Sequence, residues 1–394
     1  EILAGNMTKA GHEVYVFCPG DGSDTHLDKN FTDYKVLRLK SFVNPFRKGF
    51  RITSFAISEI REQVRKIKPD IIHLQDVASI GIMLRDIGRE SNIPVIITNH
   101  FSLEFALAYV KLPILLPLAR KLLIRYLVAF HNKCDIVITP TETIAKQIRS
   151  WKVKTPVIAI SNGIFYDRFS QNFPQEKIDA FRLKNHLPDN PIVLYTGRID
   201  LDKSVDVIIK SMSAVIKATN AHFVFAGSGD MISEIEAIAE NEGVRKDATF
   251  LGRIDHESDE FIALYKCARV FAIASTIETQ SLVTLEAMSA GLPVVAAKAN
   301  ALPEIVKSDF NGFLFTPGDE KALAEHLIKI LTDNSLWQKF SRHSMQLASH
   351  HEMSLCFART LTLYNMIIAQ KKTGRIEIPE DFIHPENAKS SLPA

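Results

Sequence analysis

The chain contains no Cys-x-x-Cys pair and no cluster of cysteine with histidine, so its 394 residues spell out neither a metal site nor a disulfide framework. Its four cysteines, Cys18, Cys134, Cys267 and Cys356, are widely separated and sit mostly in apolar runs, the placement of reduced core thiols in a cytosolic protein. No charge-free apolar stretch is long enough to span a bilayer, and no secretory signal is visible. Charge of one sign is also missing: 47 lysines and arginines face 45 acids, a net +2 that is too small to argue for nucleic acid. No internal repeat or low-complexity tract is found. What remains is an ordinary globular composition, 46% hydrophobic and 23% charged, at a length that can bury two cores.

Short aliphatic runs alternate with helical patterns along the chain. His12–Cys18, Asp70–Leu74, Pro94–Thr98, Asp135–Thr139 and Pro156–Ile160 read as strands, and the alternation predicts a parallel sheet. Glu1 to Gly11 reads as a helix ended by glycine, whereas a doubly wound domain begins with a strand. The opening strand and its loop are therefore expected to be missing, which would expose a sheet edge and leaves the activity of the chain open. A polar, proline-bearing linker is expected from Asn162-Gly163 to Pro191, then a second alternating series from Ile192 to about Phe315. Helices from Glu320 to Gln370 close the fold, and the tail beyond Lys371 reads as polar and loose.

The most informative stretch is Ser275 to Pro293, STIETQSLVTLEAMSAGLP. An apolar run ending at Ala274 meets a turn, then a helix-forming run from Leu282 to Ala290 that Gly291 and Pro293 stop. A loop feeding a helix start offers unpaired amides and the positive end of a dipole, which suits a pyrophosphate. Glu278 in the loop and Glu286, expected about two turns into the helix, would flank that anion site and accept bonds from sugar hydroxyls. Taken alone, such a pair is more often a solvated turn and helix face. Upstream, the buried-strand pattern from Pro191 runs into Gly197-Arg198 and on to Lys203, two cations at the carboxyl end of a strand, where open α/β sheets bind ligands. Arg198 offers a fork to phosphate oxygens and Lys203 a point charge. A third strand exit, ending in Gly227-Ser-Gly229-Asp230, has small residues that let a ligand approach the backbone.

In order, these segments are G-R-x4-K at Gly197 to Lys203, the glycine turn at Gly227 to Asp230, and E-x7-E from Glu278 to Glu286; AMSAGLPVVA, Pro303-Glu304 and Asn311 to Leu314 follow. The set resembles the retaining glycosyltransferases of the GT-B fold, family 4, over most of the chain. The resemblance implies an α/β protein of two Rossmann-like, doubly wound domains facing across a cleft: an acceptor-binding domain over 1–172 and a nucleotide-sugar-binding domain over 173–355. A crossover helix over 356–372 returning to the first domain and a polar tail over 373–394 would complete it. It also implies that Arg198 and Lys203 hold the donor diphosphate, Glu278 the transferred sugar and Glu286 the ribose. Gly197 and Gly227 would admit the donor, with backbone amides of Ser281 and Leu282 beside it; the family commonly has glycine where Ser281 stands. His100, after the strand ending at Thr98, matches a histidine that contacts the donor sugar near the reacting carbon. His73 and Asp76 are weaker acceptor-site candidates. No nucleophile or acid–base pair is evident, which suits retaining chemistry in which the leaving phosphate takes the acceptor's proton. No cofactor and no metal is expected.

The acceptor is argued from the first domain. Lys35, Arg38, Lys40, Arg47, Lys48 and Arg51 interleave with Phe42, Phe46 and Phe50, with no acid between Asp33 and Glu59. Lys111, Arg120, Lys121, Arg125 and Lys133 lie among leucines from Ala106 to Cys134. Both stretches read as an interfacial surface against anionic lipid, or as core helices with snorkelling cations. ETQ at Glu278 to Gln280, where the wider family has ESF, looks like the diacylglycerol glucosyltransferases and their relatives. The expectation is therefore a retaining hexosyltransferase, peripheral on the inner face of the plasma membrane, that uses a UDP-linked sugar and a lipid such as diacylglycerol. The alternatives are a soluble acceptor, or a catalytically incomplete protein that binds a nucleotide sugar without transfer.

Overall fold

The computed structural model describes residues 2–22, 24–44, 51–53, 56–107, 112–373 and 376–383. The chain divides into two compact units, Glu1–Leu103 with Val110–Ile160 and Phe357–Ala394, and Glu104–Tyr109 with Ser161–Cys356.

In the first unit, strands β1 (Tyr15–Pro19), β2 (His26–Asp28) and β3 (Lys35–Leu39) form a sheet of order β1-β3-β2, and β4 (Ser41–Val43) pairs antiparallel with β5 (Arg51–Thr53). Strands β6 (Ile72–Leu74), β7 (Val95–Thr98), β8 (Ile136–Thr139) and β9 (Val157–Ala159) form a parallel sheet in sequence order. All of β7 and β8 is buried, as expected of a parallel sheet covered on both faces. Alternate residues serve the two faces. Val95, Ile97 and Val137 join Ile60, Val64, Ile80 and Leu84 from helices Ile57–Ile67 and Ser79–Glu90. Ile96, Ile136, Ile138 and Ile158 meet Leu363, Tyr364 and Ile367 of helix Met353–Thr373.

The strand expected at His12–Cys18 is present as β1, yet it ladders with β3 and not with β6 to β9. Phe17 and Leu37 pack against the core that holds Val95 and Val137, so shared burial rather than one continuous ladder joins these two sheets. The tail differs from expectation as well. Ile376, Ile378, Phe382 and Ile383 pack on the cluster around Tyr364, because apolar side chains recur within a segment whose average is polar; residues 384–394 lie outside the described residues.

In the second unit, β10 (Ile192–Thr196), β11 (His222–Ala226), β12 (Ala248–Gly252), β13 (Val270–Ile273), β14 (Val294–Ala297) and β15 (Gly312–Phe315) form one parallel sheet of order β12-β11-β10-β13-β14-β15. The order reverses between β10 and β13, and ligands of open α/β sheets bind outside the carboxyl ends at that point. Helices Val205–Thr219 and Glu320–Thr332 pack on each other and on β13. Helix Leu282–Ser289 packs on Asn334–Ser349 and Tyr166–Ser170. The segment expected as a linker is part of this unit: helices Tyr166–Ser170 and Gln175–Lys184 bury Phe169, Ile178 and Phe181 in its core. Its described start is Ser161, ahead of the expected 173, because these three side chains anchor a stretch that is otherwise polar. Helix Met353–Thr373 leaves the second unit between Cys356 and Phe357.

Candidate active site

Two loops leave the sheet at its switch point, one after β10 and one after β13. Gly197 and Gly227 have φ of 136° and 150°, a region that favours glycine. A Cβ on Gly227 would stand 1.7 Å from the Gly197 carbonyl oxygen, so the two strand exits touch through their backbones. Asp200 closes the glycine turn: its Oδ1 accepts from the Asp230 amide at 3.1 Å. Arg198, about half exposed, pairs with Asp200 and lies 3.4 Å from Asp202 Oδ2.

Lys203 joins the two loops. Its Nζ donates to Glu278 Oε1 at 2.8 Å and lies 3.3 Å from Asp202 Oδ2, with all three side chains nearly buried. It also lies 3.4 Å from Ser275 Oγ and from the Ile277 carbonyl oxygen, while the Thr276 amide donates to the Asp202 carbonyl at 3.1 Å. Two cations thus stand among three carboxylates, each cation already paired within the protein. The helix after Ser281 supplies further donors. The Ser281 hydroxyl bonds the Thr284 hydroxyl at 2.8 Å and does not cap the backbone amides, so the first turn of Leu282–Ser289 has no side-chain cap.

Glu286 is the fifth residue of that helix, little more than one turn from its start and closer than the two turns expected. It is no solvated helix face. Tyr265 Oη donates to its Oε2 and His256 Nε2 contacts its Oε1, both at 2.8 Å, and its side chain is 8% exposed. Tyr265 Oη also meets Thr196 Oγ1 at 2.8 Å, which ties Glu286 to the last residue of β10. Burial holds the Tyr265 phenol well above its usual pKa, so it remains a donor, and the bond to Glu286 raises the His256 imidazole. The loop bearing Glu278 has its own anchor. Gln280 Nε2 donates to Ser161 Oγ at 2.7 Å and Gln280 Oε1 accepts from the Asn162 amide at 3.0 Å. His351, held neutral by burial that pushes it down to about 4, contacts the same Ser161 hydroxyl at 2.9 Å.

The structure thus brings Gly197, Arg198, Lys203, Gly227, Glu278, Ser281, Leu282 and Glu286 to one switch point. His100 belongs to the first unit, exposed at the carboxyl end of β7; its Nε2 lies 2.9 Å from Gln75 Oε1, and the surrounding protein depresses its pKa by desolvation. His73 is corrected. Its Nδ1 contacts Tyr364 Oη of helix Met353–Thr373 and its Nε2 lies 2.7 Å from Thr98 Oγ1 of β7, and burial pushes it down to about 3, so both nitrogens are engaged in packing the helix on the sheet. Asp76 Oδ1 accepts from the Ala78 amide at 2.6 Å at the start of helix Ser79–Glu90. Asp202 stands beside Lys203 in the loop after β10, a segment the sequence singles out for its two cations. His256 and Tyr265 had no such signal, lying 30 and 21 residues before Glu286.

The expected basic surface changes shape. Lys35 pairs with Glu13, Arg38 with Asp28 and Lys40 with Glu59, while Arg51 Nε donates to Ser41 Oγ. Phe46, Arg47, Lys48, Phe50 and Lys111 lie outside the described residues. In helix Leu116–His131, by contrast, Leu118, Leu122 and Tyr126 form an exposed stripe at four-residue spacing beside exposed Arg120, Lys121 and Arg125, with Leu112, Ile114 and Leu115 exposed just before it. Among the described residues no helix is long and apolar enough to cross a membrane, and no group of three or more His, Cys, Asp or Glu could hold a metal ion.

Two family models match the chain, Glycosyltransferase Family 4 over residues 2–168 and Glycosyl transferases group 1 over residues 177–346. The chain belongs to this family. It is a glycosyltransferase of a retaining family, with the GT-B fold. Among its relatives, the sulfoquinovosyl transferase of Arabidopsis thaliana is 28% identical over 83% of the chain, and the chain spans 62% of that protein's length. The alpha-monoglucosyldiacylglycerol synthase of Streptococcus pneumoniae is 29% identical over 79% of the chain and 70% of that protein. Of solved structures, the sucrose-phosphate synthase of Thermosynechococcus elongatus superposes with a TM-score of 0.75 at 22% identity, covering 94% of this chain and 92% of that one. Anabaena HepE in complex with UDP-glucose superposes with a TM-score of 0.67 at 18% identity, covering 83% and 86%.

Proposed function

We propose that this glycosyltransferase moves a hexosyl unit, with retention, from a UDP-linked sugar to a membrane lipid such as diacylglycerol, as a peripheral protein of the inner face of the plasma membrane. The observation that carries the donor half is the Lys203–Glu278 pair bridging the loops after β10 and β13. In this reading Arg198, Lys203 and the amides at Ser281 and Leu282 hold the diphosphate, Glu278 orients the sugar and Glu286 the ribose, and His100 contributes beside the reacting carbon. As the C1–O bond to the diphosphate breaks, the acceptor oxygen bonds C1 on the same face and its proton passes to a leaving phosphate oxygen. The protein's part is to position the partners and to stabilise the developing charge on the diphosphate. Two cations and a helix start meet that charge, so the reading requires no metal ion or cofactor.

The lipid acceptor is supported by the exposed Leu118, Leu122 and Tyr126 stripe flanked by Arg120, Lys121 and Arg125, an apolar face that an anionic bilayer would cover. The names of the relatives from Arabidopsis and Streptococcus point the same way, and a UDP-glucose complex is known for a protein of this fold. The test is product analysis by mass spectrometry with UDP- and GDP-sugars, with and without diacylglycerol vesicles and with a chelator. Glycolipid formed from the UDP-sugar, undiminished by chelator, is the expected result. Transfer only to soluble acceptors, or nucleotide binding without any transfer, overturns the acceptor half.

A further inference from the structure

We infer that His256 and Tyr265 are positioning residues that present the Glu286 carboxylate to the donor's ribose, so that donor binding depends on the 2′-hydroxyl. This rests on the proposed role of Glu286. A carboxylate has two acceptor sites on each oxygen. The protein occupies one on Oε1 through His256 and one on Oε2 through Tyr265, each at 2.8 Å, which leaves one per oxygen, the complement of two neighbouring hydroxyls.

Neither support can easily move. Tyr265 is fully buried, its hydroxyl fixed by Thr196 at the end of β10 and its ring set edge-on against Phe169 and Phe261. His256 is half-exposed at the mouth of the site, with its ring centroid 4.5 Å from that of Phe261. A carboxylate held from both sides at a nearly buried position has lost its rotational freedom before the ligand arrives, so the cost of ordering it is removed from binding. Without His256, Oε1 keeps an unfilled acceptor site and the carboxylate can rotate about the Tyr265 bond.

The experiment compares binding of UDP with 2′-deoxy-UDP, and GDP with 2′-deoxy-GDP, by calorimetry for the wild-type chain and for H256A, H256Q and Y265F. The wild-type chain is expected to prefer the ribonucleotide about ten- to a hundredfold, the range of a hydrogen bond to a charged group. H256A and Y265F are expected to reduce that preference to about threefold or less while leaving deoxynucleotide binding unchanged, and H256Q, which keeps an N–H donor, to retain most of it. Equal loss of both nucleotides in H256A, at unchanged melting temperature, overturns the positioning role and leaves the ribose reading intact. Absence of discrimination in the wild-type chain overturns the ribose reading of Glu286 itself.

Discussion

The loops after β10 and β13 and the helix Leu116–His131 both carry charged residues among apolar ones, but they hold them in opposite states. In the loops, Arg198, Lys203, Glu278 and Glu286 are each bonded to a protein partner, and three of the four are nearly buried. On the helix, leucines and cations face solvent together. The difference bears on the role proposed for each region. A buried, fully partnered ion-pair network holds its charges in fixed geometry, which suits the small charged ligand proposed for it. An exposed apolar stripe gains free energy by shedding water against an apolar surface, and the cations beside it favour one that also carries negative charge, as the proposed lipid acceptor's membrane does.

The comparison is broken most sharply by removing Glu278. E278A is expected to lower the transfer rate about 10²- to 10³-fold, the scale of losing one preorganised polar group, while vesicle binding stays unchanged. Full transfer in that variant, measured as glycolipid or released UDP, would sink the site assignment. The converse variant, L118D with L122D, is expected to weaken vesicle binding about tenfold or more in a sedimentation assay, since each leucine loses its apolar burial, and to leave UDP affinity as it was.

Smaller effects sharpen the picture within each unit. Q280L keeps side-chain size but strips partners from the Asn162 amide and the Ser161 hydroxyl. A cost of about 1–3 kcal/mol in urea denaturation is expected, together with a lower kcat as the Glu278 loop loosens. In the first unit, His131 is buried with no partner for either ring nitrogen among the described residues, and burial pushes it down to about 4. The unfolded chain binds a proton near pH 6.5 and the folded chain does not, so this group's contribution is full above pH 6.5 and is lost as pH falls toward 4. H131L is expected to be neutral or stabilising at pH 7 and to reduce the slope of stability against pH by up to about 1.4 kcal/mol per unit in that window, read from denaturation midpoints.

Much of the second unit was legible in the sequence. Valine- and isoleucine-rich runs with glycine exits can be satisfied only as strands covered on both faces, and the run from Ser275 to Pro293 carries its own start and stop signals. Residues whose role depends on the partner were less legible. Glu286 reads as a surface glutamate by local pattern, and its burial follows from Tyr265 and His256, which stand far from it in sequence. In the first unit, six basic residues without a neighbouring acid read as a free patch, yet Glu13, Asp28 and Glu59 reach Lys35, Arg38 and Lys40 from outside the stretch.

The sequence by itself determined the elements: where strands end in glycine, where the helix after Ser281 begins and stops, and which side chains there can meet a phosphate or a hydroxyl. These follow from local sterics and periodicity, which act over a few residues. Only the tertiary structure decided the pairings. The sheet order places β13 beside β10, so Lys203 meets Glu278 across 75 residues and Tyr265 bridges Thr196 to Glu286. Hydrogen bonds form over about 3 Å, and only folding brings such distant residues within that reach.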